Sequence, residues 1–355
     1  MQVEGDLLSR VEGGVGYLTL NRPKAINSLN HAMVTELDRT LRAWAHDDGV
    51  RAVVISGAGE RGLCAGGDVM AIYLDVTQSD GAGARRFWFD EYRLNARIAR
   101  FPKHHQPQKP YVALMDGIVM GGGVGISAHG SVRVVTENSK IAMPEVGIGF
   151  IPDVGGTFLL ARAPGRLGLH AALTGAPFSG ADAIELGFAD HYVPAADLAA
   201  FTRTLAADGA AAAVAAHAQP PPPSQLAAQR NWIDACYTGE TVADIVAALR
   251  DRDEEAARAA ADLIGTRSPV AVSVALASIR RAAALQTLEE ALVQEYRVSC
   301  ASSRSHDLVE GIRAQIVDKD RNPRWHPASL SAVSEEDVER YFQPADPDLS
   351  FEEDM

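Results

Sequence analysis

The sequence predicts an α/β fold followed by a helical C-terminal region. Short apolar runs alternate with helical patterns up to about residue 195, as in domains built from layered strands and helices. Four consecutive prolines then occupy residues 220–223, a composition that favours a stiff, extended connector. Nearly everything beyond them has helical periodicity. We therefore predict a core over 1–218, a connector over 219–224 and a helical region over 225–355 that packs on the core.

Each predicted element follows from a local pattern. The apolar run over 16–20 ends at a turn signal, Asn21-Arg22-Pro23, and is predicted to be a strand. Residues 28–45 have apolar side chains at helical spacing, with Asn30 as the expected cap. Compact apolar runs predict further strands at 52–56, 111–115, 131–136 and 140–143. The alanine-rich stretch over 195–218 is predicted to be helical.

Composition and charge restrict the class of protein. The 355 residues are 47% hydrophobic and 22% charged, which is ordinary for a soluble globular protein. A formal net charge of −13 argues against a protein that coats nucleic acid. No apolar run has the length of a membrane span, and the N-terminus lacks the composition of a targeting presequence. We therefore expect a soluble, cytoplasmic protein with no nucleic-acid or membrane partner.

Disulfide and metal chemistry are not expected. Cys64, Cys236 and Cys300 lie far apart without CxxC spacing, which fits reduced thiols in a reducing compartment. The histidines form no array of the HExxH kind, so no metal is predicted. A polyanionic small ligand is compatible with the negative net charge because a few local cations suffice to bind it. Arg22 and Lys24 are candidates for that role, and solvated loop cations are the alternative.

Two glycine turns and two carboxylates carry most of the chemical information. Residues 65–68 (Ala-Gly-Gly-Asp) and 121–123 (Gly-Gly-Gly) each follow a predicted strand. Backbone N–H groups from two such turns can converge on one oxygen and form an oxyanion hole. Glu145 and Asp153 follow in segments rich in proline and glycine, where an acid can transfer a proton or attack a bound carbonyl. The pattern indicates an enzyme acting on a carbonyl whose oxygen becomes negative.

Other interpretations of the same residues stay open. Residues 123–128 match the dinucleotide pattern GxGxxA, although two strand–helix units precede them. Residues 125–129 fall short of a nucleophile elbow, GxSxG, because His129 stands at the final glycine position. Asp153 is alternatively a cap for a helix that opens near residue 157. Glu91 has helical surroundings and, from its pattern alone, is expected on the surface.

The motifs resemble those of the crotonase (enoyl-CoA hydratase/isomerase) superfamily, on residues 21–28, 64–68 and 120–123. The 3-hydroxyisobutyryl-CoA hydrolase branch is similar over nearly the whole chain. The residues that carry this closer resemblance are 143–145, 152–156, 231–233, 295–297 and 317–325. The resemblance implies a crotonase-like spiral of ββα units with a helical C-terminal region, and it implies binding of acyl-CoA thioesters.

The resemblance also implies individual roles. The N–H groups of Gly67 and Gly122 are implied as the oxyanion hole, and Glu145 and Asp153 as the catalytic acids. The residues implied to contact the substrate, including its CoA moiety, are Lys24, Ala25, Cys64, Ala65, Asp68, Glu91, Gly122, Glu145 and Asp153. No cofactor is expected, because coenzyme A is part of the substrate.

One departure from the hydratase pattern affects the expected reaction. Hydratases of this superfamily use two glutamates, and the first of them falls on Gly125, which has no side chain. We therefore expect hydrolysis of a short 3-hydroxyacyl-CoA, most simply (S)-3-hydroxyisobutyryl-CoA in valine breakdown, with Glu145 as nucleophile or general base. The alternatives are an enoyl-CoA hydratase/isomerase, a non-catalytic acyl-CoA-binding protein and a dinucleotide-dependent oxidoreductase.

A departure from the hydrolase pattern concerns the length of one segment. Residues 96–109 form a longer stretch than that branch has, and we expect an extended loop there. The oligomeric state is left open. Members of the superfamily often form trimers, whereas long C-terminal helices can cover the same face within one chain.

Overall fold

A computed structural model describes residues 5–101 and 108–351 of the chain. The chain forms two compact units, each assembled from separate segments. Unit 1 is built from Met1–Gly67, Arg93–Ile141 and Phe178–Gln225, and unit 2 from Asp68–Tyr92, Ala142–Pro177 and Leu226–Met355. The division that the sequence predicts at residues 219–224 stays a prediction.

A mixed sheet with mainly parallel neighbours organises unit 1. The strands of the chain are β1 (Leu7–Glu12), β2 (Val15–Leu20), β3 (Ala52–Gly57), β4 (Tyr111–Met115), β5 (Ile118–Met120), β6 (Val132–Val135), β7 (Lys140–Ala142), β8 (Phe178–Ser179) and β9 (His191–Tyr192). The larger sheet has the order β1-β2-β3-β4-β6-β9, and only the β1–β2 pair is antiparallel. Its central strands are nearly continuous apolar runs, because both faces of a parallel sheet are covered.

The helices of the described residues are distributed over both units. They are α1 (His31–Ala45), α2 (Val69–Gln78), α3 (Ala82–Arg100), α4 (Gly122–Gly125), α5 (Gly156–Arg162), α6 (Leu167–Thr174), α7 (Gly180–Glu185), α8 (Leu198–Asp208), α9 (Ala210–His217), α10 (Gln225–Cys236), α11 (Val242–Arg250), α12 (Glu255–Gly265), α13 (Pro269–Ala282), α14 (Leu288–Ser302), α15 (His306–Ile312) and α16 (Glu335–Glu339). In unit 1, α8 and α9 bury Phe201, Leu205 and Ala213 against valines of the sheet. In unit 2, α13 packs against α5 and α6, and α14 packs against α5.

Most predicted elements are present with nearly the predicted bounds. Strand β4 coincides with the predicted 111–115, and α1 begins after Asn30, whose side chain accepts a hydrogen bond from the N–H of Met33 at 2.9 Å. The helical stretch predicted over 195–218 is interrupted. It divides into α8 and α9 at Gly209, whose φ of 91° lies outside the helical range.

The extended loop predicted over 96–109 is wrong for its first part, because α3 continues as far as Arg100. Residues 102–107 of that prediction lie outside the described residues. Beyond them, the ammonium of Lys109 donates to the carbonyl oxygens of Trp44, Ala45 and Asp47 at 2.8–3.1 Å. A cation at this position satisfies carbonyls that the end of α1 leaves without intrahelical partners.

Candidate active site

The two glycine turns lie side by side in unit 1. The N–H of Met120, at the end of β5, donates to the carbonyl of Cys64 at 2.9 Å, and the N–H of Cys64 donates to Ile118 at 3.1 Å. A Cβ at position 123 would lie 2.5 Å from the carbonyl oxygen of Cys64, so only glycine fits there. The glycines therefore allow close approach of one turn to the other, in addition to any approach of a ligand.

The N–H groups of Gly67 and Gly122 have the property that an oxyanion hole needs. Within residues 5–101 and 108–351, neither N–H donates to a protein acceptor. Gly122 is the first residue of α4, where the helix itself offers no partner for the N–H. Gly122 is buried and Gly67 is half-buried, and both N–H groups are available to a ligand oxygen. Their assignment as the oxyanion hole stays a prediction.

The segment that carries Lys24 and Ala25 adjoins the first glycine turn. The N–H of Ala65 donates to Ile26 at 2.9 Å, and the N–H of Leu29 donates to Gly66 at 2.8 Å. Lys24 and Ala25 are exposed on a short 3-10 helix, where a ligand can reach them. Arg22 is engaged instead, because its guanidinium donates to the carbonyl of Ser28 at 2.6 Å.

Cys64 and Asp68 differ in their accessibility to a ligand, since Asp68 is half-buried. Cys64 is fully buried, so its side chain packs beneath the turn. Asp68 caps α2, and its carboxylate accepts from the N–H of Ala71 at 3.4 Å. Ala65 between them is half-buried. The contact of these residues with the CoA moiety stays a prediction.

Three acids that the sequence singled out form a buried group in unit 2. Glu91 lies on α3, Glu145 opens the 3-10 helix Glu145–Ile148, and Asp153 precedes α5. Their exposed fractions are 2%, 6% and 5%, respectively. We call these three residues the acid cluster. The surface location expected for Glu91 from its pattern is wrong, and the substrate contact that the resemblance implies for it stays a prediction.

Burial and mutual repulsion keep the acid cluster poorly ionised. The pKa of Glu145 is raised well above its ordinary value, first by burial and then by the charge of Asp153, with smaller effects of Glu295 and Glu91. Burial and the charge of Asp153 likewise raise the pKa of Glu91. Burial raises the pKa of Asp153 to about 7, although a hydrogen bond from Tyr92 acts in the opposite direction. The cluster therefore holds protons near neutral pH.

Hydrogen bonds distinguish the members of the cluster. The phenol of Tyr92 donates to Oδ2 of Asp153 at 2.7 Å, and its oxygen lies 2.6 Å from Oγ of Ser299. By contrast, Oε1 of Glu91 and Oε2 of Glu145 are buried and have no hydrogen-bond partner within the described residues. Buried polar atoms without partners are rare in folded proteins. They mark Glu91 and Glu145 as the groups that a ligand would satisfy.

The local structure around Asp153 involves residues to which the sequence assigned no role. Asp153 is not the cap of α5, since Gly155 holds that position and Glu295 satisfies the free N–H groups there. Glu295 and Ser299 both lie on the buried face of α14, and Tyr92 follows Glu91 on α3. One signal for Glu295 was available, because this acid occupies an otherwise apolar position at helical spacing from Leu288, Ala291 and Leu292.

The two competing interpretations of the glycine turn do not fit the geometry. The helix that should follow a dinucleotide-binding turn is only Gly122–Gly125, and Glu145 opens a 3-10 helix rather than ending a strand. The hydroxyl of Ser127 is buried and donates to the carbonyl of Gly123 at 2.6 Å. It is therefore not presented as a nucleophile.

Neither a grouped set of metal ligands nor a membrane-spanning helix occurs among the described residues. In the described part of the chain, no three His, Cys, Asp or Glu side chains are grouped so that they could hold a metal ion. The helices described here include none with both the length and the apolar content to cross a bilayer. Cys64, Cys236 and Cys300 are buried free thiols.

Comparison with known proteins gives names that differ in the reaction they describe. A 3-hydroxyisobutyryl-CoA hydrolase, mitochondrial, from Gallus gallus is 37% identical over 96% of this chain and 89% of its own length. The crystal structure of a carnitinyl-CoA dehydratase from Mycobacterium thermoresistibile is 69% identical in sequence, with a TM-score of 0.94. The match covers 98% of this chain and 99% of the dehydratase chain. The crystal structure of an enoyl-CoA hydratase from Rhodobacter sphaeroides 2.4.1 is 42% identical in sequence, with a TM-score of 0.92. The match covers 98% of this chain and 100% of the hydratase chain.

This chain and the two solved structures share one fold over essentially their whole length. The TM-scores agree with the crotonase-like α/β architecture expected from the sequence. The profile of the enoyl-CoA hydratase/isomerase family matches residues 15–342, which includes both glycine turns and the acid cluster. The chain therefore belongs to the enoyl-CoA hydratase/isomerase family.

Proposed function

We propose that the chain hydrolyses a short 3-hydroxyacyl-CoA thioester, 3-hydroxyisobutyryl-CoA in particular, to the free acid and CoA. One observation carries the proposal: the carboxyl of Glu145 is buried with an unpartnered oxygen, while the position of the first hydratase glutamate is Gly125. Gly125 is itself buried in α4 and offers no acid. A site with this acid content lacks the pair of glutamates that positions water for addition to a double bond.

The chemical step replaces the carbon–sulfur bond with a carbon–oxygen bond. The thioester carbonyl oxygen accepts hydrogen bonds from the N–H groups of Gly67 and Gly122. These bonds stabilise the negative charge that develops on the oxygen as the carbonyl carbon is attacked. The C–S bond then breaks, and the CoA thiolate leaves and takes up a proton. Removal of one oxyanion-hole donor typically costs about 10²–10³ in rate.

Glu145 supplies the oxygen by one of two routes. As a general base, it removes a proton from water as the water oxygen adds to the carbonyl carbon. As a nucleophile, its carboxylate forms a mixed anhydride, which water then hydrolyses. Single turnover in H₂¹⁸O identifies the anhydride route when ¹⁸O appears in Glu145, because general-base catalysis places ¹⁸O only in the product acid.

Asp153 and Glu91 complete the proposed acyl site. Asp153 binds the 3-hydroxyl group or assists proton transfer, and Tyr92 orients its carboxylate. Glu91 has a buried oxygen without a partner and borders the acyl group. Coenzyme A enters as part of the substrate, and no cofactor is invoked. Because the Gallus gallus relative is named as mitochondrial, the cytoplasmic location stays a prediction.

A dehydratase or hydratase is the second candidate. The 69% identical structure is described as a carnitinyl-CoA dehydratase, and Glu145 with Asp153 provides two acids for removal and addition of water. This reaction forms or consumes a carbon–carbon double bond and leaves the thioester intact. It therefore releases no thiol.

One assay with two readouts tests both candidates. The purified chain is incubated with 3-hydroxyisobutyryl-, 3-hydroxypropionyl- and crotonyl-CoA, and with carnitinyl-CoA. Free thiol and enoyl-thioester absorbance are recorded together. Thiol release from the 3-hydroxyacyl esters supports hydrolysis. A change in enoyl absorbance without thiol supports the second candidate, and tight binding without either signal contradicts both.

A further inference from the structure

The residue after Asp153 has an unusual backbone conformation. Val154 has a φ of 51°, which places a β-branched side chain in the left-handed region. Such a conformation is costly for valine and persists only where the surrounding structure holds it. Gly155 follows with a φ of 79°, which glycine adopts freely. The strain is therefore located at Val154, directly beside an acid of the cluster.

A carboxylate from a distant helix holds the backbone on the C-terminal side of Val154. Oε2 of Glu295 accepts from the N–H of Gly155 at 2.6 Å, and Oε1 accepts from the N–H of Thr157 at 2.9 Å. The hydroxyl of Thr157 also donates to Oε1. Glu295 is fully buried, so this clamp is shielded from water.

The same helix reaches the side chain of Asp153 through a second contact. Ser299 lies one turn beyond Glu295 on α14, and its Oγ is 2.6 Å from the phenol oxygen of Tyr92. Tyr92 in turn donates to Oδ2 of Asp153 at 2.7 Å. Residues four apart on a helix lie on one face. One face of α14 therefore holds the backbone that follows Asp153 directly, and contacts the Asp153 carboxylate through Tyr92.

We propose that Glu295 is a positioning residue: its clamp on Gly155 and Thr157 holds Val154 in the left-handed conformation that directs Asp153 toward the acyl group. The inference rests on the proposed function, because it assigns Asp153 to the substrate. Glu295 itself does not touch the reacting atoms. It provides two acceptor oxygens to two N–H donors, which an amide side chain cannot reproduce.

The main variant is Glu295→Gln, which presents an N–H₂ group to one of the two backbone donors. We expect kcat for the hydrolysed ester to fall about 10-fold or more, with KM changed less than threefold. Val154→Gly removes the strain that the clamp opposes. We therefore expect Glu295→Gln to cost a smaller factor in the Val154→Gly background than in the wild-type background.

A milder pair of variants covers the case in which Glu295→Gln fails to fold. Thr157→Val removes one of the three donors to Glu295 and keeps the N–H, whereas Thr157→Ser keeps the hydroxyl. We expect Thr157→Val to lower kcat and Thr157→Ser to restore most of it. Equal cost of Glu295→Gln in both Val154 backgrounds, or loss of thermal stability with kcat unchanged, would overturn the proposal.

A readout without turnover separates this inference from the proposed function. The carboxyl carbon of Asp153 is observed by ¹³C NMR and assigned by its absence in Asp153→Asn. Glu295→Gln or Thr157→Val should shift this signal and its titration, because Asp153 leaves Tyr92. An unchanged signal rejects the positioning role, even where thiol release occurs. A shifted signal in a chain that releases no thiol retains the positioning role and rejects the proposed function.

Discussion

The phenol oxygen of Tyr92 lies 2.7 Å from Oδ2 of Asp153, and both side chains are buried. A hydrogen bond to an ionised carboxylate stabilises the charged form. In this cluster it offsets part of the cost of burial, which still raises the pKa of Asp153 to about 7. The contact therefore acts directly on the protonation state of Asp153.

Tyr92→Phe should therefore shift the pH dependence of activity toward alkaline pH. Loss of the donor raises the pKa of Asp153 above about 7. A hydrogen bond to a charged group contributes about 1.5–3 kcal/mol, which corresponds to about one to two pH units. The measurement is the acid limb of kcat/KM between pH 5 and pH 9. Tyr17→Phe, in strand β2 of unit 1, is the control and should leave the profile in place; a Tyr92→Phe profile that overlays the wild type would contradict this account.

Asp153→Asn should stabilise the protein at alkaline pH. The pKa of Asp153 is about 7 in the folded chain and close to 3.9 when unfolded, so the folded state binds more protons between these values. The free energy of unfolding consequently falls as pH rises from about 4 to 7, by up to about 1.4 kcal/mol per pH unit for this group. Glu145 and Glu91 contribute in the same direction.

The measurement is the melting temperature of wild type and Asp153→Asn at pH 5 and pH 8. We expect the melting temperature to fall less between pH 5 and pH 8 in Asp153→Asn than in the wild type. Asp48→Asn, at an exposed loop position, is the matched control and should follow the wild type. A decrease of equal size in Asp153→Asn would show that the carboxyl is not held protonated by burial.

Gly122→Pro should remove a single backbone donor from the proposed oxyanion hole. Proline is tolerated at the first position of a helix, because the N–H there has no intrahelical partner. Gly122→Ala adds bulk at the same place and retains the N–H. We expect kcat of the proline variant to be about 10²–10³ lower than that of the alanine variant, with folding checked by circular dichroism. Equal activity of the two variants would remove Gly122 from the oxyanion hole.

Local patterns were sufficient for strands β2, β3, β4, β6 and β7 and for two of the three acids, whereas β1, β5, β8 and β9 were not predicted. The bounds of β4 and the cap of α1 follow from residues that are close in the sequence. Glu145 and Asp153 stand out because proline and glycine restrict the chain on both sides of each. These signals need no knowledge of tertiary packing. They are therefore available from the sequence alone.

The remaining parts of the site depend on packing between distant segments. Glu91 and Tyr92 lie on a helix whose polar residues look exposed until the buried face is known. The clamp joins Glu295 to residues 138 and 140 positions away in the chain. Helical spacing indicates that Glu295 is buried, but local patterns do not indicate which distant residues these side chains contact. The continuation of α3 to Arg100 was also missed. The signal that ends a helix, Phe101-Pro102, stands five residues after residue 96, where the loop was predicted to begin.

The most direct test of the account is the rate of thiol release by Glu145→Gln with 3-hydroxyisobutyryl-CoA, beside Glu255→Gln at an exposed helix terminus as control. Glutamine keeps the size of the side chain but can neither accept a proton at neutral pH nor attack the carbonyl. We predict that Glu145→Gln loses at least about 10²-fold in kcat and still binds the CoA ester, while Glu255→Gln is unaffected. Thiol release by Glu145→Gln at a rate near that of the wild type would contradict the central claim.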